Sequence, residues 1–165
     1  MIGNDIVDLA LAKKESNWQR KGYLDKIFTQ NEQFLILNSE NPAIMVWNLW
    51  SRKEAAYKIH NRKTKIRGYF PLQLECNDLD ISKGIIFGTV VMKDFVYFTK
   101  TIHTSQFTNT IAVENVQDFD KIITLENRKN IQKNNGIPYF YEQVNCVPRP
   151  VSISHHGRFE QILAI

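Results

Sequence analysis

The sequence predicts an α+β fold of one domain spanning residues 1–165. Helix signals cluster in the first third of the chain, and aromatic and β-branched strand signals fill most of the rest. The regular strand–helix alternation of a doubly wound protein is absent. The architecture expected is an antiparallel sheet packed with a long central helix.

Residues 1–9 read as a strand, with Asp5, Val7 and Leu9 on one face and Ile6 and Asp8 on the other. Residues 10–21 hold Lys13, Lys14, Arg20 and Lys21 around Trp18, as a basic helix or an ordered loop. Residues 23–28 are short and amphipathic. Thr29 and Glu32 form a capping-box pattern that starts a helix over 30–38.

The central helix is predicted over 42–59. Asn41 supplies the N-cap and Pro42 the first helical position. These eighteen residues, with no Gly or Pro after Pro42, span about 27 Å. Ile44, Trp47, Leu49, Trp50, Ala55 and Ile59 bury much of it, yet Arg52, Lys53, Glu54 and Lys58 lie in its last turns. Glu54 and Lys58 share a face one turn apart. They suit a surface ion pair worth about 0.2–0.5 kcal/mol, or a metal-ligating carboxylate beside a phosphate-binding ammonium. The basic stretch 60–68, with Arg62, Lys63, Lys65 and Arg67, fits either the helix dipole or a phosphate clamp.

Strands are expected over 69–75, 84–91, 94–103 and 107–114, with hairpin turns at 92–94 and 104–106. A further strand is expected over 121–125. Next come a short polar helix over 126–133, capped by Asn134, Asn135 and Gly136, and strands over 137–143, 151–154 and 159–165. His103 is read as structural.

The 165 residues carry 43% hydrophobic and 23% charged side chains, as a soluble globular domain does. A net charge of +4 favours an acidic partner or a phosphorylated ligand. Cys76 and Cys146 lack metal-site spacing and fit a reducing cytoplasm. Neither a secretory leader nor an apolar run of membrane-spanning length is read from the sequence.

Three separated strings carry the chemistry. They are Gly3-Asn4-Asp5-Ile6-Val7-Asp8, then Trp50-Ser51-Arg52-Lys53-Glu54-Ala55 followed by Lys58, and Val151-Ser152-Ile153-Ser154-His155-His156-Gly157-Arg158-Phe159. In this order they resemble the phosphopantetheinyl transferase superfamily, whose marks are a Gly-x-Asp strand, a Trp-x-x-Lys-Glu-Ala helix with a later Lys, and a Ser-x-Ser-His segment. The order is that of the short holo-acyl-carrier-protein synthases. Thr29-x-x-Glu32 and residues 135–139 also look like segments of those enzymes. The resemblance covers roughly 2–68 and 134–165. Leu11 stands where the short synthases often carry an Arg that meets the carrier, leaving Lys13 or Lys14 to substitute. Trp50 and the Ser-His-His-Gly-Arg-Phe string look more like the longer two-repeat transferases. Residues 84–115 are extra relative to the shortest members.

The resemblance implies transfer of the phosphopantetheine arm of coenzyme A to a serine of an acyl carrier protein, in the cytoplasm. Asp5 and Glu54 would hold Mg²⁺, and Glu54 and Lys58 would act in catalysis. Ser154 and His155 would bind coenzyme A, with Arg62, Lys63, Lys65 and Arg67 at its nucleotide phosphates. Arg158 is a further candidate. A single repeat implies a homo-oligomer with a shared interface, a trimer first. Asp8 is read as a turn aspartate. His155 and His156 as a transition-metal pair, and Ser154-His155 as a hydrolase dyad, fit poorly because neighbours on a strand face opposite ways. The competing class is a basic module for single-stranded nucleic acid, stacking bases on aromatics of 95–98 and Phe107. It leaves Asp5 and Glu54 unexplained.

Overall fold

The computed structural model describes residues 1–66, 68–82, 84–142 and 147–165, without the side chains of 78, 79, 81 and 82. Arg67, Cys146 and the last residue of the strand expected over 137–143 lie outside the described residues. The chain is α+β, with two antiparallel five-stranded sheets and four α-helices among the described residues.

Strand β1 (Ile2–Asp8) leads directly into α1 (Leu9–Glu15), because the Asp8 carboxylate caps the Ala10 and Leu11 amides. Helix α2 (Tyr23–Ile27) is one turn. Helix α3 (Gln30–Leu37) starts at the expected capping box. Asn41 accepts from the Ile44 amide and opens α4 (Pro42–Thr64). This helix runs five residues past the predicted end, since nothing in 60–64 breaks it. It stops where Lys65 turns left-handed at φ 62°.

Sheet one has the order β1-β5-β4-β3-β2, built from β2 (Glu75–Ser82), β3 (Ile85–Met92), β4 (Phe95–His103) and β5 (Phe107–Val113). The strand expected over 69–75 is not there. Pro71 opens a 3-10 turn over Pro71–Gln73, and the strand begins at Glu75. The hairpin turns between β3, β4 and β5 fall where expected.

Sheet two has the order β6-β10-β9-β8-β7, from β6 (Ile123–Thr124), β7 (Ile131–Asn134), β8 (Ile137–Phe140), β9 (Arg149–His156) and β10 (Phe159–Ala164). The helix expected over 126–133 is absent. Asn135 and Gly136, at φ 49° and 81°, turn the β7–β8 hairpin rather than cap a helix.

Helix α4 lies on sheet one, burying Val46, Leu49, Ala55, Ala56 and Ile59. Two of its cations are fully buried. Arg52 donates to Thr99 Oγ1 and to the carbonyls of Asn77 and Thr89, each at 2.9 Å. Lys53 donates to the carbonyls of Ile27 and Pro71 and lies 2.6 Å from the Glu32 carboxylate. Glu32 also accepts from the Thr29 and Cys76 amides, so it ties α3, α4 and β2 together beyond its capping role.

The two sheets meet where β1 faces β9. Asn4 N–H donates to Ser152 Oγ at 2.9 Å, and Asp8 N–H to His156 Nδ1 at 2.8 Å. Contacts 4 to 152 and 8 to 156 make the strands run parallel, bridged by side chains.

Candidate functional site

Close packing of β1 on α4 creates the site. A Cβ on Gly3 would sit 2.0 Å from the Ala55 carbonyl oxygen, so only glycine lets the strand lie this near the helix. Asp5, two residues on, then comes into electrostatic contact with Glu54 and Lys58.

Lys58 Nζ lies 3.8 Å from the Asp5 carboxylate and donates to the Asn4 carbonyl at 2.5 Å and the Ile153 carbonyl at 3.3 Å. It therefore sits in the seam between the two sheets. Burial pushes the Asp5 carboxyl up to about 7; Lys58 opposes this, Glu54 adds to it, and the Ile6 amide opposes it. Burial also raises Glu54, against Lys58 and the Tyr69 hydroxyl. Tyr69 itself is pushed far above its ordinary range by burial and then by the charges of Glu54 and Asp5. Its hydroxyl has no partner at full hydrogen-bond geometry among the described residues. Its ring packs edge-on against Trp50 and Tyr57, at 5.7 and 5.1 Å, which seats this face of α4.

Two half-buried carboxylates beside one ammonium form a donor set short of positive charge. Mg²⁺ suits such a set, being held by one or two carboxylates plus substrate phosphates. Among the described residues no group of three or more His, Cys, Asp or Glu could hold a metal ion; Asp5 and Glu54 are two carboxylates in one electrostatic neighbourhood.

Two cavities flank the centre along α4. One, of about 330 Å³, is lined by Asp5, Trp47, Trp50, Tyr23, His155 and His156. The other, of about 370 Å³, is lined by Lys58, Asn61, Arg62, Arg128, Lys133 and Ser152. Trp47, Trp50, Glu54, Lys58 and Asn61 recur every three or four residues, so one helix face floors both.

The structure thus brings Asp5, Glu54 and Lys58 together and sets His155 at the same cavity as Asp5. Arg62 lines the second cavity, but is buried; it donates to the Pro138 and Val151 carbonyls and lies over the Tyr139 ring. Ser154 is buried, and its Oγ has no partner among the described residues. Lys63 pairs with Glu114 at 2.7 Å and caps the Phe95 ring. Lys65 is the exposed left-handed residue ending α4.

Asp8 is fully engaged. Arg158 donates Nε at 2.8 Å and a terminal nitrogen at 2.9 Å to its two oxygens, which holds the carboxyl far below its ordinary range. Sequence reasoning missed Tyr69, Arg128 and Lys133 at the site, which stand outside the three strings. The rings proposed for base stacking are largely occupied: Tyr97 is buried and Phe107 packs on Phe159.

A profile of the 4'-phosphopantetheinyl transferase superfamily matches residues 1–109, which includes most of the extra stretch 84–115 but not 134–165. The chain is 33% identical over 57 residues to a holo-[acyl-carrier-protein] synthase of Protochlamydia amoebophila (strain UWE25), covering 34% of this chain. The match spans 47%, about half, of that relative's length. The chain belongs to the 4'-phosphopantetheinyl transferase superfamily.

Proposed function

We propose that the protein transfers the 4'-phosphopantetheine arm of coenzyme A to a serine of an apo acyl carrier protein, releasing adenosine 3',5'-bisphosphate. The observation that carries this is the convergence of Asp5, Glu54 and Lys58 where Gly3 admits β1 to α4. Mg²⁺ bound by Asp5, Glu54 and the substrate pyrophosphate would neutralise phosphate charge.

The reaction breaks the pyrophosphate P–O bond and forms a bond from the serine oxygen to the phosphorus of the arm. Glu54, whose carboxyl is raised by burial, takes the serine proton. Lys58 uses two N–H groups on the Asn4 and Ile153 carbonyls, leaving a third for an oxygen of the departing phosphate. His155 donates to a phosphate from the other wall. The nucleotide end lies toward Arg62, Arg128 and Lys133, with Lys65 and Arg67 as outer cations.

The carrier is acidic, and Lys13 and Lys14 of α1 offer it an exposed basic face. The fold is that of the superfamily in one repeat, and the protein works as a homo-oligomer, a trimer, in the cytoplasm. No helix among the described residues is long and apolar enough to cross a membrane.

The test is to incubate protein, coenzyme A, Mg²⁺ and several apo carriers, and to read the carrier by intact mass. Arm addition that falls at least 100-fold in Glu54→Gln and Asp5→Asn supports the assignment. No addition to any carrier, with salt-sensitive binding to an oligonucleotide instead, supports the nucleic-acid reading.

A further inference from the structure

The free edge of β1 presents its even-numbered amides toward β9, because N–H groups alternate sides along a strand. Asn4 N–H meets Ser152 Oγ and Asp8 N–H meets His156 Nδ1, at 2.9 and 2.8 Å. Both partners are side chains two positions to either side of Ser154. The parallel register therefore sets Ser154 opposite the Ile6 amide. This middle rung is not made. Ser154 Oγ is buried and has no partner among the described residues, in a side chain only 4% exposed. The Ile6 amide is close enough to the neighbouring Asp5 carboxylate to favour its ionised form.

We propose that Ser154 is a positioning residue for Asp5: it takes over the Ile6 amide when the Asp5 carboxylate turns to a cation, completing a Ser152–Ser154–His156 side-chain ladder along β1. An amide and a carboxylate lone pair are exchanged between two states of one strand edge. Without Ser154, turning Asp5 away would leave the Ile6 N–H buried and unpaired. Lys58 holds the same seam open at the Asn4 and Ile153 carbonyls, so the exchange moves no backbone element. In this role Ser154 touches neither phosphate nor metal. The inference rests on the proposed two-carboxylate cation site.

The experiment uses the full chain with coenzyme A and no carrier, so that no transfer occurs. Mn²⁺ binding is followed by electron paramagnetic resonance in wild type, Ser154→Ala and Ser154→Thr. Exchange protection of the Ile6 amide is followed by NMR with and without Mg²⁺. Ser154→Ala should bind Mn²⁺ about ten-fold more weakly, Ser154→Thr should restore it, and Mg²⁺ should protect Ile6 in wild type. If Ser154→Ala instead weakens coenzyme A with Mn²⁺ affinity unchanged, or if Ile6 protection ignores Mg²⁺, the inference is overturned. Should Ser154→Ala not fold, the wild-type Ile6 measurement decides alone. Failure of wild type to bind Mn²⁺ would overturn the cation site itself, a different result from equal binding by wild type and Ser154→Ala.

Discussion

Replacing Gly3 by Ala tests how the site is assembled. The added Cβ would sit 2.0 Å from the Ala55 oxygen, 3.0 Å from its carbonyl carbon and 3.2 Å from Ile59 Cγ1. The first distance falls 1.0 Å short of the 3.0 Å below which real Cβ atoms essentially never sit. The obstruction is helix backbone, so no rotamer change relieves it. Strand and helix must part by about 1 Å or the strand must twist, at an overpacking cost of about 1–3 kcal/mol. For a chain of this size each kcal/mol lowers Tm by about 2–4 °C, giving a fall of about 2–12 °C. The same displacement separates Asp5 from Glu54, and a 1 Å misplacement can cost about 100-fold in rate. Thermal unfolding by circular dichroism and carrier modification by intact mass read the two effects. Gly3→Ala with wild-type Tm and wild-type transfer would refute the claim that this contact sets the site.

Lys53→Met should destabilise by about 3–5 kcal/mol, because it leaves the fully buried Glu32 carboxylate without its ammonium; urea unfolding measures this. Asp5→Asn should abolish transfer yet raise Tm above pH 7. The folded carboxyl holds its proton up to about 7 while the unfolded one ionises near 4, so wild type loses stability as pH rises between them, and the two proteins should converge near pH 4. Asp8→Asn works in the opposite sense. The carboxyl of Asp8 is held low by Arg158, so its stabilisation is present above about pH 4 and lost as pH falls further; the Tm gap to wild type should shrink below pH 4.

Local chemistry explains what could be read in advance. Thr29 with Glu32, and Asn41 with Pro42, act within four residues, and both helix starts fall where those residues place them. The meander of β3, β4 and β5 follows from aromatic and β-branched runs between polar turns. Partners distant in the chain left no local mark. Glu32 looked complete as a cap, yet its second task is the buried Lys53. Asn135-Gly136 suits both a helix end and a tight hairpin, and pairing with β8 and β9 decided for the hairpin. Residues 69–75 carry strand-forming side chains, but Pro71 and the pull of Tyr69 onto Trp50 and Tyr57 delay the strand to Glu75. At the site, Gly3, Asp5, Glu54 and Lys58 were legible as paired strings. Tyr69 was not, since nothing in its neighbours indicates that it folds over Glu54.

The central claim is that Asp5 and Glu54 share one ion beside Lys58. Crystals grown with coenzyme A and Mn²⁺, measured at the manganese edge, test it directly. A single anomalous peak within coordination distance of both carboxylates and of the pyrophosphate is the predicted result. A peak bound elsewhere, or bound coenzyme A with no peak between Asp5 and Glu54, would contradict it.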